Sequence, residues 1–95
     1  MTGGTGTLGQ ILVPVALARG HEVRVLSRRA GAAVAEGASP AVADVLTGQG
    51  LDRALDRAEV VIHAATSPWR RARVTEIEGT RRVVEAANRA GAYLI

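Results

Sequence analysis

At 95 residues the chain has room for one small domain. Its 47% apolar content includes one Trp, one Tyr and no Phe, so a core must come from Val, Leu, Ile and Ala. The absence of Cys excludes disulfides and thiolate metal sites, His21 and His63 have no metal-ligand spacing, and no apolar run approaches the roughly 18 residues of a membrane span. The net charge of +3 is carried by arginines scattered among nine acids without interleaved aromatics, which describes a solvated basic surface rather than a nucleic-acid footprint. With no signal-peptide pattern at the start, the expectation is a soluble, cytoplasmic chain that binds neither nucleic acid nor membrane.

The chain opens Met1-Thr2-Gly3-Gly4-Thr5-Gly6-Thr7-Leu8-Gly9. Gly4, Gly6 and Gly9 fit G-x-G-x-x-G, and Gly3, Gly6 and Gly9 fit G-x-x-G-x-x-G. Backbone without Cβ turns tightly and approaches a pyrophosphate closely, and the N–H groups of a following helix point at the same anion. Thr5, Thr7 and Leu8 supply backbone N–H groups at this turn, and Leu8 packs either under a ligand or into the core. Only Met1 and Thr2 precede Gly3, so the strand leading into the turn is expected to be largely missing.

Leu8, Ile11, Leu12, Val15 and Ala18 recur at helical spacing and predict a helix over about 7–19, kinked at Pro14 and stopped by Gly20. The alternating, branched stretch 22–27 predicts a strand. A weak helix is expected over about 31–36, then a turn at 37–40 and a short strand at 41–43 ending at Asp44. After a loop at 47–50, Leu51 and Leu55 mark a two-turn helix over about 51–58. The nearly all-apolar run at 60–64 reads as a strand covered on both faces. A break at 66–68 precedes a long helix over about 69–90, whose buried side is expected at Val74, Ile77, Val84 and Ala87. Gly91 stops it, and a last strand begins at Ala92.

Strands separated by helices imply a parallel, doubly wound sheet. With the glycine turn first, the expected fold is α/β, a partial Rossmann domain over 1–95 with its first strand largely missing and its C-terminal half absent. The arms of such a sheet leave exposed edges, Val60-Val61-Ile62 in particular, through which self-association is expected.

Three further places weigh a ligand role against a plainer one. Ser27-Arg28-Arg29 follow the second strand of the fold, where a carboxylate would bind the ribose hydroxyls of NAD. A hydroxyl and two guanidiniums there suit a 2′-phosphate, hence NADP in preference to NAD; the plainer reading is a pair of solvated arginines. Asp44, with Val45, either frames an adenine or caps a turn. Ala64-Ala65-Thr66 either pass beneath a cofactor or pack tightly in the sheet. His63 reads as an ordinary strand residue, since no partner lies at a fixed spacing.

Taken in order, TGGTGTLG, RGHEVRVLSR, AD, VVIHAAT and EGTRRVVEAANRAG resemble the N-terminal part of an extended or atypical short-chain dehydrogenase/reductase, close to the NmrA-like and NAD-dependent epimerase/dehydratase-like groups. The resemblance spans residues 2–95. It implies a nicotinamide cofactor held by Gly3, Gly6, Thr7, Leu8, Gly9, Ser27, Arg28, Arg29, Asp44, Val45, Ala64, Ala65 and Thr66. It also implies a catalytic Ser or Thr and a Tyr-x-x-x-Lys further along. This sequence has no Lys, and its one Tyr, Tyr93, precedes that region, so no catalytic or metal residue is assigned. The expected function is an NADP(H)-binding half-domain of an oxidoreductase, inactive by itself. The alternatives are a non-catalytic NmrA-like dinucleotide sensor and a gene fragment without function.

Overall fold

The computed structural model describes residues 1–4, 6–31, 33–64 and 72–95, with only the backbone of 7 and 72–76. Its elements are α1 (Thr7–Ala18), β1 (Arg24–Ser27), β2 (Ser39–Val42), α2 (Leu51–Ala54), β3 (Val60–Val61), α3 (Ala72–Ala90) and β4 (Tyr93–Leu94). The two helix stops predicted at glycine form in full. Gly20 donates to the Leu17 carbonyl and His21 to Ala16, while Gly91 donates to Asn88 and Ala92 to Ala87, which is the paired bonding of a Schellman ending. Helix α1 continues through Pro14.

β1 and β2 pair in parallel, as do β3 and β4. Met1 and Thr2 join the two pairs. The Met1 ammonium donates to the Arg24 carbonyl at 2.6 Å, and Leu26 N–H donates to the Met1 carbonyl at 2.9 Å. On the other side Thr2 N–H donates to Ile62 at 3.0 Å, and Thr2 bridges His63 in parallel. The spatial order is therefore β2, β1, the Met1-Thr2 stub, β3, β4. This is the order of a doubly wound sheet with its first strand central, a partial Rossmann arrangement. Two residues thus occupy the place where the sequence leads one to expect a gap between β1 and β3. Burial and the neighbouring Arg24 charge lower the Met1 ammonium from its ordinary value of 8.0 to about 6.

Pro40 lies inside β2 without breaking it. Ser39 and Ala43 donate their N–H groups to Val23 and Ser27 of the neighbouring segment, so the alternate position, Pro40, faces away and loses no ladder bond. The weak helix expected at 31–36 does not form at the described positions. Gly31 and Gly37 both take positive φ, and the intervening alanines have no apolar face long enough to hold a turn against the core. α2 is shorter than expected, because Arg57 enters the left-handed region at φ 60 and ends the segment.

The main core lies between α2, α3 and the sheet. Leu51, Leu55, Val61 and Val83 are each at most 3% exposed, with Ala54, Ala86 and Ala87 among them. The buried side of α3 is the line of Gly79, Val83, Ala86 and Ala87; of the side expected, Ala87 is buried, Ile77 and Val84 are exposed, and the side chain of Val74 lies outside the described residues. α3 carries apolar residues on two sides, and the side with small residues permits the closer approach. At Gly79 a Cβ would sit 3.3 Å from Val45 Cγ2, tighter than ordinary contact.

The buried side of α1 also differs from the expected one. Gly9 and Val13 face inward, whereas Leu8, Ile11 and Val15 are exposed. The helix TLGQILVPVALA has so few polar positions that periodicity cannot say which apolar stripe meets the sheet. No helix among the described residues is long and apolar enough to cross a membrane.

Candidate functional site

Parallel strands end on a common edge, and in an open α/β sheet that edge, where the strand order reverses, is where ligands bind. Four segments leave the sheet there: Thr2 into the glycine turn, β1 into Ser27-Arg28-Arg29, β2 into Asp44-Val45, and β3 through His63 to Ala64. Gly3, Gly6, Leu8, Gly9, Ser27, Arg28, Arg29, Asp44, Val45 and Ala64 therefore share one side of the molecule, as does the backbone of Thr7. Thr5, Ala65 and Thr66 lie outside the described residues.

The glycine turn is built by sterics. Gly3 takes φ 71, a conformation L side chains rarely adopt, and Gly6 N–H closes the turn on the Gly3 carbonyl at 3.0 Å. Gly9, in the first turns of α1, lies on the backbone of Gly4, so a Cβ at Gly9 would overlap it. Gly4 in turn lies on buried Val25 of β1, where a Cβ would come within 2.6 Å of Cγ1. Sheet, turn and helix are thus stacked at contacts that leave no space for a side chain.

At the start of α1 the first intrahelical bond is Gln10 N–H to the Gly6 carbonyl at 2.9 Å. The N–H groups of Thr7, Leu8 and Gly9 precede this bond, in the first turn, where helix geometry leaves donors without an intrahelical acceptor. The helix has no side-chain cap and no acidic residue in its first turn. An anion at this end meets N–H donors and the positive end of the helix dipole with no carboxylate of that turn to repel it. These residues fit a pyrophosphate.

The other positions carry local bonds as well. The Ser27 hydroxyl accepts Arg29 N–H at 3.2 Å, which folds the turn so that both arginines are exposed. Asp44 Oδ1 accepts Leu46 N–H at 2.9 Å, and its backbone exchanges bonds with Gly48 and Gln49. The turn-capping role considered for Asp44 is present, and its carboxylate is held in one orientation by it. Val45 packs against α3 at Gly79.

His63 is where sequence reasoning missed a constellation. Its Nδ1 lies 2.6 Å from Thr2 Oγ1 and its Nε2 lies 3.1 Å from Thr80 Oγ1. The partners are 61 and 17 residues away in sequence, so no fixed spacing could announce them. The available signal was a polar residue within an apolar strand. Among the described residues no group of His, Asp and Glu could hold a metal ion.

A family model described as NAD(P)H-binding matches residues 3–94, and the chain belongs to this NAD(P)H-binding family. Solved structures agree with that class. WbmG of Bordetella bronchiseptica, solved with NAD and UDP, is 30% identical, with a TM-score of 0.78 over 96% of this chain and 33% of its own. The protein gox2253 is 32% identical, with a TM-score of 0.84 over 96% of this chain and 30% of its own. A nucleoside-diphosphate-sugar epimerase of Staphylococcus aureus shares the fold at 20% identity, with a TM-score of 0.79 over 96% of this chain and 33% of its own. The chain spans about a third of the length of these structures. No curated protein matches it.

Proposed function

We propose that residues 1–95 form a unit that binds NADP(H) in preference to NAD(H), and that it serves as the cofactor-binding part of a protein transferring hydride between nicotinamide and a small carbonyl or alcohol. One observation carries the preference. β1 ends in Ser27-Arg28-Arg29, without a carboxylate, on the edge of the sheet that also holds the glycine turn. A carboxylate there would accept bonds from the ribose hydroxyls and repel a 2′-phosphate; exposed guanidiniums pair with that phosphate through paired N–H donors.

In this reading the pyrophosphate rests on the backbone of Gly6, Thr7, Leu8 and Gly9, with Gly3 shaping the turn. The 2′-phosphate meets Ser27, Arg28 and Arg29. The adenine lies against Asp44 and Val45, and the cofactor passes over the small residues at Ala64, Ala65 and Thr66. The bound nicotinamide supplies the hydride chemistry; the chain's own residues bind and orient it.

Calorimetric titration of the chain with NADPH and NADH tests this. NADPH is expected to bind more tightly, and Arg28→Asp to weaken it about ten- to a hundredfold while relatively favouring NADH. Equal affinities for the two cofactors before and after the substitution would overturn the preference.

A further inference from the structure

We propose that α3 sets the depth of the adenine end of the dinucleotide site: Gly79 and Arg82 are positioning residues for the loop that leaves β2 at Asp44. The inference rests on the reading of Asp44 and Val45 as the adenine contact.

The loop is closed by its own bonds. Asp44 N–H donates to the Gln49 carbonyl at 2.9 Å, and Gly48 N–H donates to the Asp44 carbonyl at 2.7 Å. The Asp44 carboxylate is tied into the same loop through Leu46 N–H, and Thr47 Oγ1 accepts Gln49 N–H at 3.2 Å. Gly48 takes φ 81, which lets the chain turn back on itself. A loop braced in this way moves as one piece, so a displacement at any point of it carries the Asp44 carboxylate along.

α3 meets this loop at Gly79 and at Arg82. Gly79 is buried, and Val45 lies so near that a Cβ at Gly79 would sit 3.3 Å from Cγ2 and 3.8 Å from the Val45 carbonyl oxygen. The Arg82 stem crosses Gly48, where a Cβ would sit 3.4 Å from Cδ and 3.6 Å from Nε. The Arg82 guanidinium lies 3.4 Å from Glu78 Oε2, one turn back along the helix. α3 itself has a fixed seat, since Val83 is fully enclosed and Ala86 and Ala87 are buried beside it. The helix is therefore the reference, and Gly79 and Arg82 are the stops against which the loop rests. Glycine inside a helix costs stability, and the approach of Val45 gives a reason to keep it. The Glu78–Arg82 pair is partly exposed and adds little stability by itself, so its effect lies in where the loop is held.

The test compares NADPH with its analogue carrying hypoxanthine in place of adenine, by calorimetry on the full chain. Hypoxanthine presents a carbonyl where adenine presents an amino group, so a carboxylate that accepts from the amino group tells the two apart. The unaltered chain is expected to favour NADPH about tenfold or more. Gly79→Val pushes Val45 off α3 and should reduce that preference about three- to tenfold. Gly79→Ala should act in the same direction to a smaller extent, and it carries the test if urea unfolding shows that Gly79→Val does not fold. Arg82→Ala should reduce the preference about two- to threefold. Arg82→Lys, which keeps a stem over Gly48 and a cation for Glu78, should restore it. A merely structural role would weaken both ligands equally and leave their ratio unchanged. An unchanged ratio in the Gly79 variants and in Arg82→Ala would overturn the positioning role and leave the adenine reading standing. Equal binding of the two ligands by the unaltered chain would overturn both.

Discussion

The two sides of the molecule are finished to different degrees. Between α2, α3 and the sheet, Leu51, Leu55, Val61 and Val83 bury one another almost completely. Around α1, Val13 and Val25 are each 1% exposed, yet the same helix shows Leu8, Ile11 and Val15 to solvent. The first side is closed by side chains meeting side chains. The second is closed by glycine backbone, Gly9 on the backbone of Gly4 and Gly4 on the side chain of Val25. Stability is therefore concentrated in the first region, and the glycine turn proposed to receive the pyrophosphate lies in the second.

Truncation in the closed region should have the largest effect. Leu51→Ala is expected to cost about 2–5 kcal/mol in urea unfolding, since the residue is fully enclosed and its cavity can collapse only in part. A cost near that of a surface substitution would mean that α2 and α3 do not form the stable half, and the contrast would fail.

Gly9→Val attacks the other kind of closure. The new side chain must displace the Gly4 backbone, at an expected cost of about 1–3 kcal/mol. It should also abolish NADPH binding in calorimetry, whereas Leu51→Ala, in conditions where it remains folded, should leave affinity nearly unchanged. Retained binding in the Gly9 variant would separate the turn from the ligand.

A smaller effect is expected from pH. For the chain with a free Met1 amine, the folded state holds the ammonium at about 6 against 8.0 in the open chain. The unfolded state binds more protons between these values, so stability is fully present above pH 8 and falls as pH drops through 6. The shift amounts to at most about 2.7 kcal/mol, and partial solvent access reduces it to about 1–2 kcal/mol. Urea midpoints at pH 5.5 and 8.5 should differ accordingly, and acetylation of the amine should remove that part of the difference. A profile unchanged by acetylation would show that the Met1-Thr2 stub is not seated between β1 and β3.

Ile11→Ala should be the mildest, within about 0.5 kcal/mol, because the side chain is already 65% exposed. A large loss would show that another surface covers α1 in solution.

Local chemistry made much of this protein legible from its sequence. The glycine stops at Gly20 and Gly91, the turn at Gly3, the strand leading into Ser27 and the parallel order of the sheet follow from backbone sterics and from apolar period, which act over a few residues. The cofactor class was legible for the same reason, since the glycines that shape the turn, Gly3 to Gly9, lie close together in sequence. Three things were decided only by tertiary structure. Which apolar stripe of α1 and α3 is buried depends on what each helix meets, and both helices offer two. Met1 and Thr2 become sheet only because β1 and β3 stand on either side to bond them. His63 became part of a constellation only when the fold brought Thr2 and Thr80 to its two nitrogens. Contacts between residues far apart in sequence leave no spacing to read; they exist only once the chain has closed on itself.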